Sequence, residues 1–523
     1  MNDADTAPPW LRGQPTTLGD LLRCSARTFG PRTALCHDGR AITFHELRER
    51  ADAAAGMLVG LGVRPGDRVA VMAESRPETV ELLFAVASVG AITVPVNPRL
   101  TPDELRHVLV DCAPMVVVTP SPAVENLDAA IDGLGPAPRV HRYDPGQPVA
   151  PAEEFSGWAG SPESPAIIMY TSGSSGRPKG VVLTHANLAF STRNVVIARG
   201  MIGPDDAWLV AVPLFHISGV LGMLPYLMLG GRVVLAPSGR FDGRETLDLI
   251  RRENVTGTFL VPTQWQRVCA AAGPDDQDSP LRRVVWGGAP ASPELLAEIG
   301  RAFPHADLYC SYGQTETTGP SCSLSPRDTP AQAGSIGRPV DSVVTRVVDD
   351  EGRDVRVGEV GELVYQGSTV FVGYWNDRIA TEAAFVDGWL RSGDLVRQDS
   401  DGYLYLVGRK TDMIISGGEN ISPAELEQAI AALPGVAAAC VVGLPHPTWG
   451  ETPVAVVVRD PAGPAVTAED VHEWCRQRLA SYKRPTEIHF VTELPLTANG
   501  KVRKAELRAQ LGARAATGTA GRP

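Results

Sequence analysis

The sequence predicts an α/β protein built in several parts, and three observations point to it. Helix-like and strand-like segments alternate from residue 17 to about 132 and again from 185 to 311, as in sheets with helices on both faces. From 334 to about 408 the pattern changes to short strands between Gly- and Asp-rich turns, a small β-barrel or sheet. After 412 a compact α+β region follows. A chain of 523 residues can bury a large core in more than one subdomain.

In the first run, Thr43-Phe44-His45-Glu46 is a capping box that opens a helix to about Gly60. Strands are expected at 68–73, 92–96 and 115–119, with a helix at 77–89. Thr101-Pro102-Asp103-Glu104 opens another helix with proline at its first position. Residues 133–165, rich in Pro, Gly, Ser and acids, read as a loop. The second run gives helices at 185–199, 218–229, 244–253 and 263–272, and one capped by Ser292-Pro293-Glu294. Its strands are 207–212, 232–236, 258–261, 283–286 and 307–311. Further strands are expected at 343–348, 359–365 and 403–407. The last region reads as strands 413–416, 436–442, 453–458 and 487–491 with helices 423–432 and 468–479. Residues 512–523 are expected to form a frayed tail.

Composition narrows the function. A net charge of −12 argues against a general nucleic-acid or anionic-membrane surface, so a polyanionic ligand must be met by local positive sites. The eight cysteines contain no Cys-x-x-Cys pair, which fits a reduced, cytoplasmic protein without structural zinc. The acidic start, Met1-Asn2-Asp3-Ala4-Asp5, has no apolar segment, so no signal peptide is expected. The longest apolar stretch, Val220 to Leu229, holds Gly222 and Pro225 and is too short for stable membrane insertion.

The most informative stretch is Tyr170-Thr171-Ser172-Gly173-Ser174-Ser175-Gly176-Arg177-Pro178-Lys179-Gly180, between two apolar runs. Glycines let backbone N–H groups turn toward an anion, hydroxyls add donors, and Lys179 adds a point charge. That chemistry holds a polyphosphate; the alternative is a flexible Ser/Gly linker. The common nucleotide loop is excluded, because Lys179 follows Pro178 and enters a strand instead of opening a helix. Only five of the 48 basic Lys+Arg residues are lysine (Lys179, Lys410, Lys483, Lys501, Lys504), which suggests that each needs a compact ammonium group.

Five other stretches could carry chemistry. Ser311-Tyr312-Gly313-Gln314-Thr315-Glu316 follows a strand; its tyrosine could stack on a purine and its carboxylate could hold Mg²⁺. Tyr312 alone fits packing equally well. Trp286-Gly287-Gly288-Ala289-Pro290 leaves room for a flat base, or simply for a tight turn. Asp394, in Trp389-Leu390-Arg391-Ser392-Gly393-Asp394, could accept from a ribose diol, or be a turn aspartate. Gly408-Arg409-Lys410-Thr411-Asp412 stands where composition shifts, and Asn499-Gly500-Lys501 puts a lysine on a late loop.

Together these stretches resemble the adenylate-forming superfamily of acyl-CoA synthetases, peptide-synthetase adenylation domains and beetle luciferases, over about residues 17–505, with the phosphate loop and residues 312–316, 391–394, 408–412 and 499–501 in the family's order. The resemblance implies an N-terminal domain 1–408, a hinge 409–412 and a mobile C-terminal domain 413–523 that re-docks between half-reactions. It implies ATP, Mg²⁺ and CoA as ligands. Thr171, Ser172, Gly173, Ser174, Ser175, Gly176 and Lys179 match the triphosphate loop. Tyr312 and Gly313 match the adenine site, Gly288-Ala289-Pro290 its opposite wall, Thr315 a phosphate contact and Glu316 the magnesium carboxylate. Asp394 and Arg409 match ribose ligands, and Lys501 the lysine that bridges substrate carboxylate and α-phosphate.

The resemblance to aryl-CoA ligases extends to CoA. Arg99, Trp449, Tyr482 and Arg484 match CoA contacts, and Gly417-Gly418-Glu419 the pantetheine tunnel; Arg99 alone fits a solvated surface arginine equally well. Amino-acid-activating relatives carry an aspartate where this chain has His216. His216 is therefore a candidate gate of the carboxylate pocket, the alternative being a buried hydrogen-bonded histidine. Ile217, Val220, Val261, Gly287, Gly319 and Pro320 suggest a hydrophobic acid: fatty, aryl or polycyclic. The expected activity is an AMP-forming acid–thiol ligase. Alternatives are transfer to a carrier-protein phosphopantetheine, or specialisation in one half-reaction, since Thr411 stands where relatives carry Asp or Lys. A homodimer is a further option.

Overall fold

In a computed structural model, the protein is described over residues 17–121, 125–135, 137–147, 160–172, 178–200, 202–239, 241–329, 331–332, 334–416, 419–496 and 502–518. Contacts divide it into two compact units: residues up to Thr345 with Tyr365–Leu390, and Arg346–Val364 with Arg391 onward.

The larger unit holds two sheets. In the first, parallel strands run in the order Arg139–Tyr143, Val116–Pro120, Arg68–Met72, Ile92–Val96, Pro165–Ser172. Pro178–Thr184 and Gly373–Tyr374 then add antiparallel. The strand period of two explains the layers. Val69 and Val71 pack on one side with Leu82 and Val86 of the helix Pro77–Val89. Ala70 and Met72 pack on the other with Leu105 and Val108 of the helix Pro102–Cys112. Both faces are therefore buried, as a parallel sheet requires.

The second sheet has parallel strands Thr33–His37, Arg232–Leu235, Ala207–Val210, Gly257–Leu260, Arg283–Gly287 and Asp307–Gln314. Gly319–Leu324 and Ser335–Pro339 continue it antiparallel, and Arg40–Thr43 closes the far edge. In the smaller unit residues 394–398 of the strand Trp389–Gln398 pair with Leu404–Arg409. A further sheet joins Ile414–Ser416, Glu419–Ile421, Val436–His446, Gly450–Arg459 and Glu487–Val491. Helices Pro423–Ala431 and Ala468–Arg478 cover one face through Leu426 and Val471. The helix Lys504–Gly518 covers the other through Leu507 and Leu511.

Several expectations need correction. The 133–165 loop contains the strand Arg139–Tyr143, an edge strand whose charged, half-exposed residues hide the hydrophobic signal. The hairpin Thr33–Thr43 was not anticipated, because its partner strand lies some two hundred residues away. Gly319–Leu324 and Ser335–Pro339 are rich in Gly, Pro and Ser and carry no strand signature. Asp394 lies within a ten-residue strand, not in a turn. The tail is helical to Gly518, since Lys504–Gln510 is a run of strong helix formers.

Gly313 shows how tightly the second sheet closes. A Cβ there would lie 1.8 Å from the Gly319 carbonyl oxygen, which is backbone and cannot swing away. Gly300, in the helix Pro293–Ala302, has nothing within 4 Å. Gly313→Ala is expected to lower stability by about 1–3 kcal/mol, and Gly300→Ala to raise it by up to about 1 kcal/mol. Chemical denaturation of the two variants checks this, and equal midpoints would contradict it.

Candidate active site

The strands Pro165–Ser172 and Pro178–Thr184, which flank the glycine–hydroxyl stretch, pair antiparallel. Thr171 pairs with Lys179 and Ser172 with Pro178, so the strands close the neck. Gly173, Ser174, Ser175 and Gly176 lie outside the described residues, as does the Ser172 side chain. Both arms of the neck are anchored by the helix Pro102–Cys112. The Tyr170 hydroxyl donates to Asp111 Oδ2 at 2.5 Å, and His107 Nε2 donates to the Pro178 carbonyl at 2.9 Å. Burial first, then Cys112 and Asp111, raise the Tyr170 pKa well above that of a free phenol, so it stays a donor. Gly180 has no room for a side chain: its Cβ would meet Ile168 at 2.8 Å and Trp375 at 3.2 Å.

The segment after Gly367 stitches this neck to the Thr315–Thr317 turn. Trp375 N–H donates to the Gly180 carbonyl at 2.7 Å, and Phe371 N–H to the Glu316 carbonyl at 2.8 Å. The Tyr374 hydroxyl donates to Glu316 Oε1 at 3.0 Å, and Lys179 Nζ lies 5.1 Å from the centre of the same ring. Lys179 and Glu316 thus meet around one tyrosine. Burial, reinforced by Glu316, raises the Tyr374 pKa. Tyr374 and Asp111 were missed in the sequence, where neither belongs to a stretch with a chemical signature.

The register of the second sheet gathers the other candidates at one edge. Gly287 stands opposite Ser311, Leu260 opposite Trp286, and Thr258 opposite Leu209. The carboxyl ends of four parallel strands therefore carry His216, Val261, Gly288-Ala289-Pro290 and Tyr312 to one rim, where open α/β sheets bind ligands. Gly287 has no space for a Cβ, which would lie 2.0 Å from the Ser311 carbonyl. Gly288, at φ +76°, turns the chain outward. The strand runs through Tyr312 to Gln314, three residues further than expected. Tyr312 is half-buried and receives a hydrogen bond from Tyr365 at 3.1 Å. His216 is half-buried before the helix Ile217–Met228, its ring 4.9 Å from that of Phe215. Val220 is fully buried and backs this rim without lining it. Thr315 is half-buried beside Glu316, and Arg99 is exposed in a turn where Asn97 Oδ1 accepts its N–H at 3.0 Å.

In the smaller unit Asp394 stands directly opposite Arg409, and Arg409 Nε meets Asp394 Oδ1 at 2.9 Å. The carboxylate is buried while the guanidinium is half exposed. Buried Glu362 organises the neighbourhood: it accepts from Arg391 Nε at 3.0 Å, Lys410 Nζ at 3.3 Å and Gly393 N–H at 3.2 Å. Glu362 was also missed in the sequence. Thr411 is exposed.

The remaining candidates cluster partly. Ser416 pairs with both Glu419 and Gly450, and Glu451 accepts the Ile415 N–H at 3.1 Å. The exposed Trp449 turn thus adjoins the 416–419 hairpin, whose Gly417 and Gly418, with the Glu419 side chain, lie outside the described residues. Lys483 reaches Glu425 at 2.7 Å, beside exposed Tyr482. Arg484 donates to the carbonyls of Leu479 and Arg476, so it also closes the end of the helix Ala468–Arg478. Lys501 lies outside the described residues; of the residues on either side, Leu496 bridges Val502 and Arg503 N–H donates to the Pro495 carbonyl at 2.8 Å. Of the lysines in the described residues, Lys410, Lys483 and Lys504 meet carboxylates at 2.6–2.8 Å, whereas Lys179 faces a ring.

The chain is similar to known proteins over most of its length. Residues 22–375 match the model of the AMP-binding enzyme family, and residues 425–501 that of the AMP-binding enzyme C-terminal domain. The chain is 39% identical over 487 residues to a feruloyl-CoA synthase of an Amycolatopsis species, covering 92% of this chain and 96% of that one. It is 37% identical to an indoleacetate–CoA ligase of Aromatoleum aromaticum, covering 91% and 94%. Among solved structures, the o-succinylbenzoate coenzyme A synthetase of Bacillus subtilis in complex with ATP and magnesium superimposes with a TM-score of 0.82. That pair is 31% identical over 93% of this chain and 98% of the other. The chain has the family's large N-terminal and small C-terminal domains, and it belongs to the AMP-binding, adenylate-forming enzymes as a member of their ATP-dependent acyl-CoA synthetase branch.

Proposed function

We propose that the acid is hydrophobic and carries an aromatic ring, and that the residues gathered above divide the work as follows. The observation that carries the reading is the meeting of Lys179 and Glu316 at the neck of a glycine–hydroxyl loop. The loop 171–180 holds the triphosphate, with Lys179 on its outer phosphates and Thr315 beside them. Tyr312 and Gly313 take one face of the adenine and Gly288-Ala289-Pro290 the other; Asp394 and Arg409 take the ribose. His216 closes the carboxylate end of a pocket whose small and apolar rim suits a flat ring. Two of the relatives are named for acids of that kind.

Magnesium fits the donor set. Among the described residues no three His, Cys, Asp or Glu converge on one point, so the metal would rest on Glu316 and the nucleotide's own phosphates. When bound it neutralises charge developing on those phosphates. The acid's carboxylate oxygen attacks the α-phosphorus, forming the acyl–phosphate bond while pyrophosphate leaves. Lys501 offsets the charge where carboxylate and α-phosphate meet. The CoA thiol, losing its proton, then attacks the acyl carbon, and AMP leaves. Arg99, Trp449, Tyr482 and Arg484 hold CoA, and Gly417-Gly418-Glu419 admits its pantetheine arm. Alternation uses the domains 1–408 and 413–523 about the hinge 409–412. All eight cysteines are free, in keeping with a cytoplasmic enzyme, and among the described residues no helix is long and apolar enough to cross a membrane.

A pyrophosphate-release assay over a panel of acids tests the substrate class. At about 0.8 kcal/mol per buried methylene, an aryl acid should exceed acetate by roughly 100-fold or more in kcat/KM; a preference for acetate would contradict the pocket. Lys501→Ala should lower adenylate formation by about 10²–10³-fold while still converting supplied acyl-adenylate to acyl-CoA; equal loss of both steps would contradict the assigned role.

Glu362→Gln should cost about 1–3 kcal/mol, since it leaves Arg391 and Lys410 short of a buried acceptor, and should raise the Kd for AMP. Asp350→Asn, which removes a far more exposed partner of Lys410, should change stability by less than about 0.5 kcal/mol. Denaturation and AMP titration of both variants check the contrast.

A further inference from the structure

We propose that Tyr374 is a positioning residue whose task is to keep Lys179 and Glu316 from pairing with each other. This rests on the assignment of Lys179 to the triphosphate and Glu316 to magnesium. All three side chains are half-buried, near enough to solvent for a ligand to reach and dry enough for charges to attract strongly. The Tyr374 hydroxyl holds Glu316 Oε1 at 3.0 Å, and its ring carries the Lys179 ammonium at 5.1 Å from the centroid. Among the described residues Lys179 and Glu316 form no ion pair within 4.0 Å.

The ring is fixed from several sides. Phe371 meets it edge-on, with centroids 4.9 Å apart and planes at 70°. The Tyr374 N–H donates to Thr381 Oγ1 at 2.8 Å, and its strand pairs with Val181 and Val182. Gly373, at φ +149°, leaves no room for a side chain beside Thr381. The tyrosine is therefore a rigid spacer set between two charges of opposite sign.

The consequence is chemical. A direct Lys179–Glu316 pair would neutralise both groups, and Mg²⁺-ATP would have to break it. Tyr374 gives each charge a neutral partner. The ammonium can exchange a ring face for phosphate oxygens at small cost. The hydroxyl can stay on one oxygen of Glu316 and orient the carboxylate toward the metal, as second-shell groups do.

The test is calorimetric titration of the whole protein with ATP, with and without Mg²⁺, and with AMP as a fold control. Tyr374→Phe keeps the ring and removes the hydroxyl. It should raise the Mg²⁺ needed for half-saturation roughly tenfold, the usual effect of losing a second-shell partner, while metal-free ATP binding stays near wild type. Tyr374→Leu removes both contacts and lets Lys179 fall onto Glu316, so metal-free ATP binding should weaken about tenfold. Adding Glu316→Gln to Tyr374→Leu removes the carboxylate and should restore metal-free ATP binding. A double variant as weak as Tyr374→Leu alone would overturn the proposal. So would an unchanged Mg²⁺ requirement in Tyr374→Phe, which settles the matter even if Tyr374→Leu fails to fold. Lys179→Ala, run alongside, separates the two levels. Unchanged ATP binding there would overturn the triphosphate assignment and the spacer with it. Weakened binding there, with Tyr374 variants like wild type, would overturn the spacer alone.

Discussion

Everything at this site depends on the register of one hairpin. Thr171 opposite Lys179 sets the pairing of the two strands that flank the glycine–hydroxyl stretch. A slip of one residue would turn every side chain of the neck to the other face of the sheet. The register is held from outside: Asp111 and His107 fasten the two arms, and Gly180 lets Tyr170 and Trp375 close over the neck. The hydrogen bonds that fix the neck are therefore made by two residues of one helix, His107 and Asp111.

From that hairpin the rest follows by topology. The short strand Gly373–Tyr374 adds to its outer edge, and the backbone leading into it also binds the Glu316 turn. A carboxylate from the second sheet is thereby carried to a lysine of the first. The parallel register of the second sheet brings four strand ends level. Small residues stand at those ends, and Gly287 has no space for a Cβ beside the Ser311 carbonyl. In the smaller unit Asp394 and Arg409 meet by the same means, as opposed residues in adjacent strands.

Much of this was legible in the sequence, for physical reasons. Long amphipathic helices with capping boxes, such as Phe44–Gly60 and Pro102–Cys112, announce themselves locally. So do the runs that hold Lys179 and Glu316, whose residue types stand out as short local patterns. What escaped was whatever acts across distance. Tyr374 is 58 residues from Glu316, Tyr170 is 59 from its anchor Asp111, and Glu362 is 31 from Gly393. Nothing in a single sequence joins such pairs. Strands made of Gly, Pro and Ser, such as Gly319–Leu324, take their conformation from neighbours already in the sheet.

The proposed roles of Lys179 and Glu316 require attack at the α-phosphorus, with pyrophosphate departing. Supplying an aryl acid with ¹⁸O in both carboxylate oxygens, together with ATP and CoA, tests this at the level of bonds. One labelled oxygen should appear in the phosphate of AMP and none in pyrophosphate, because the attacking oxygen stays on phosphorus when the thiol takes the acyl carbon. Label in inorganic phosphate, with ADP as product, would mean attack at the γ-phosphorus and would contradict the account.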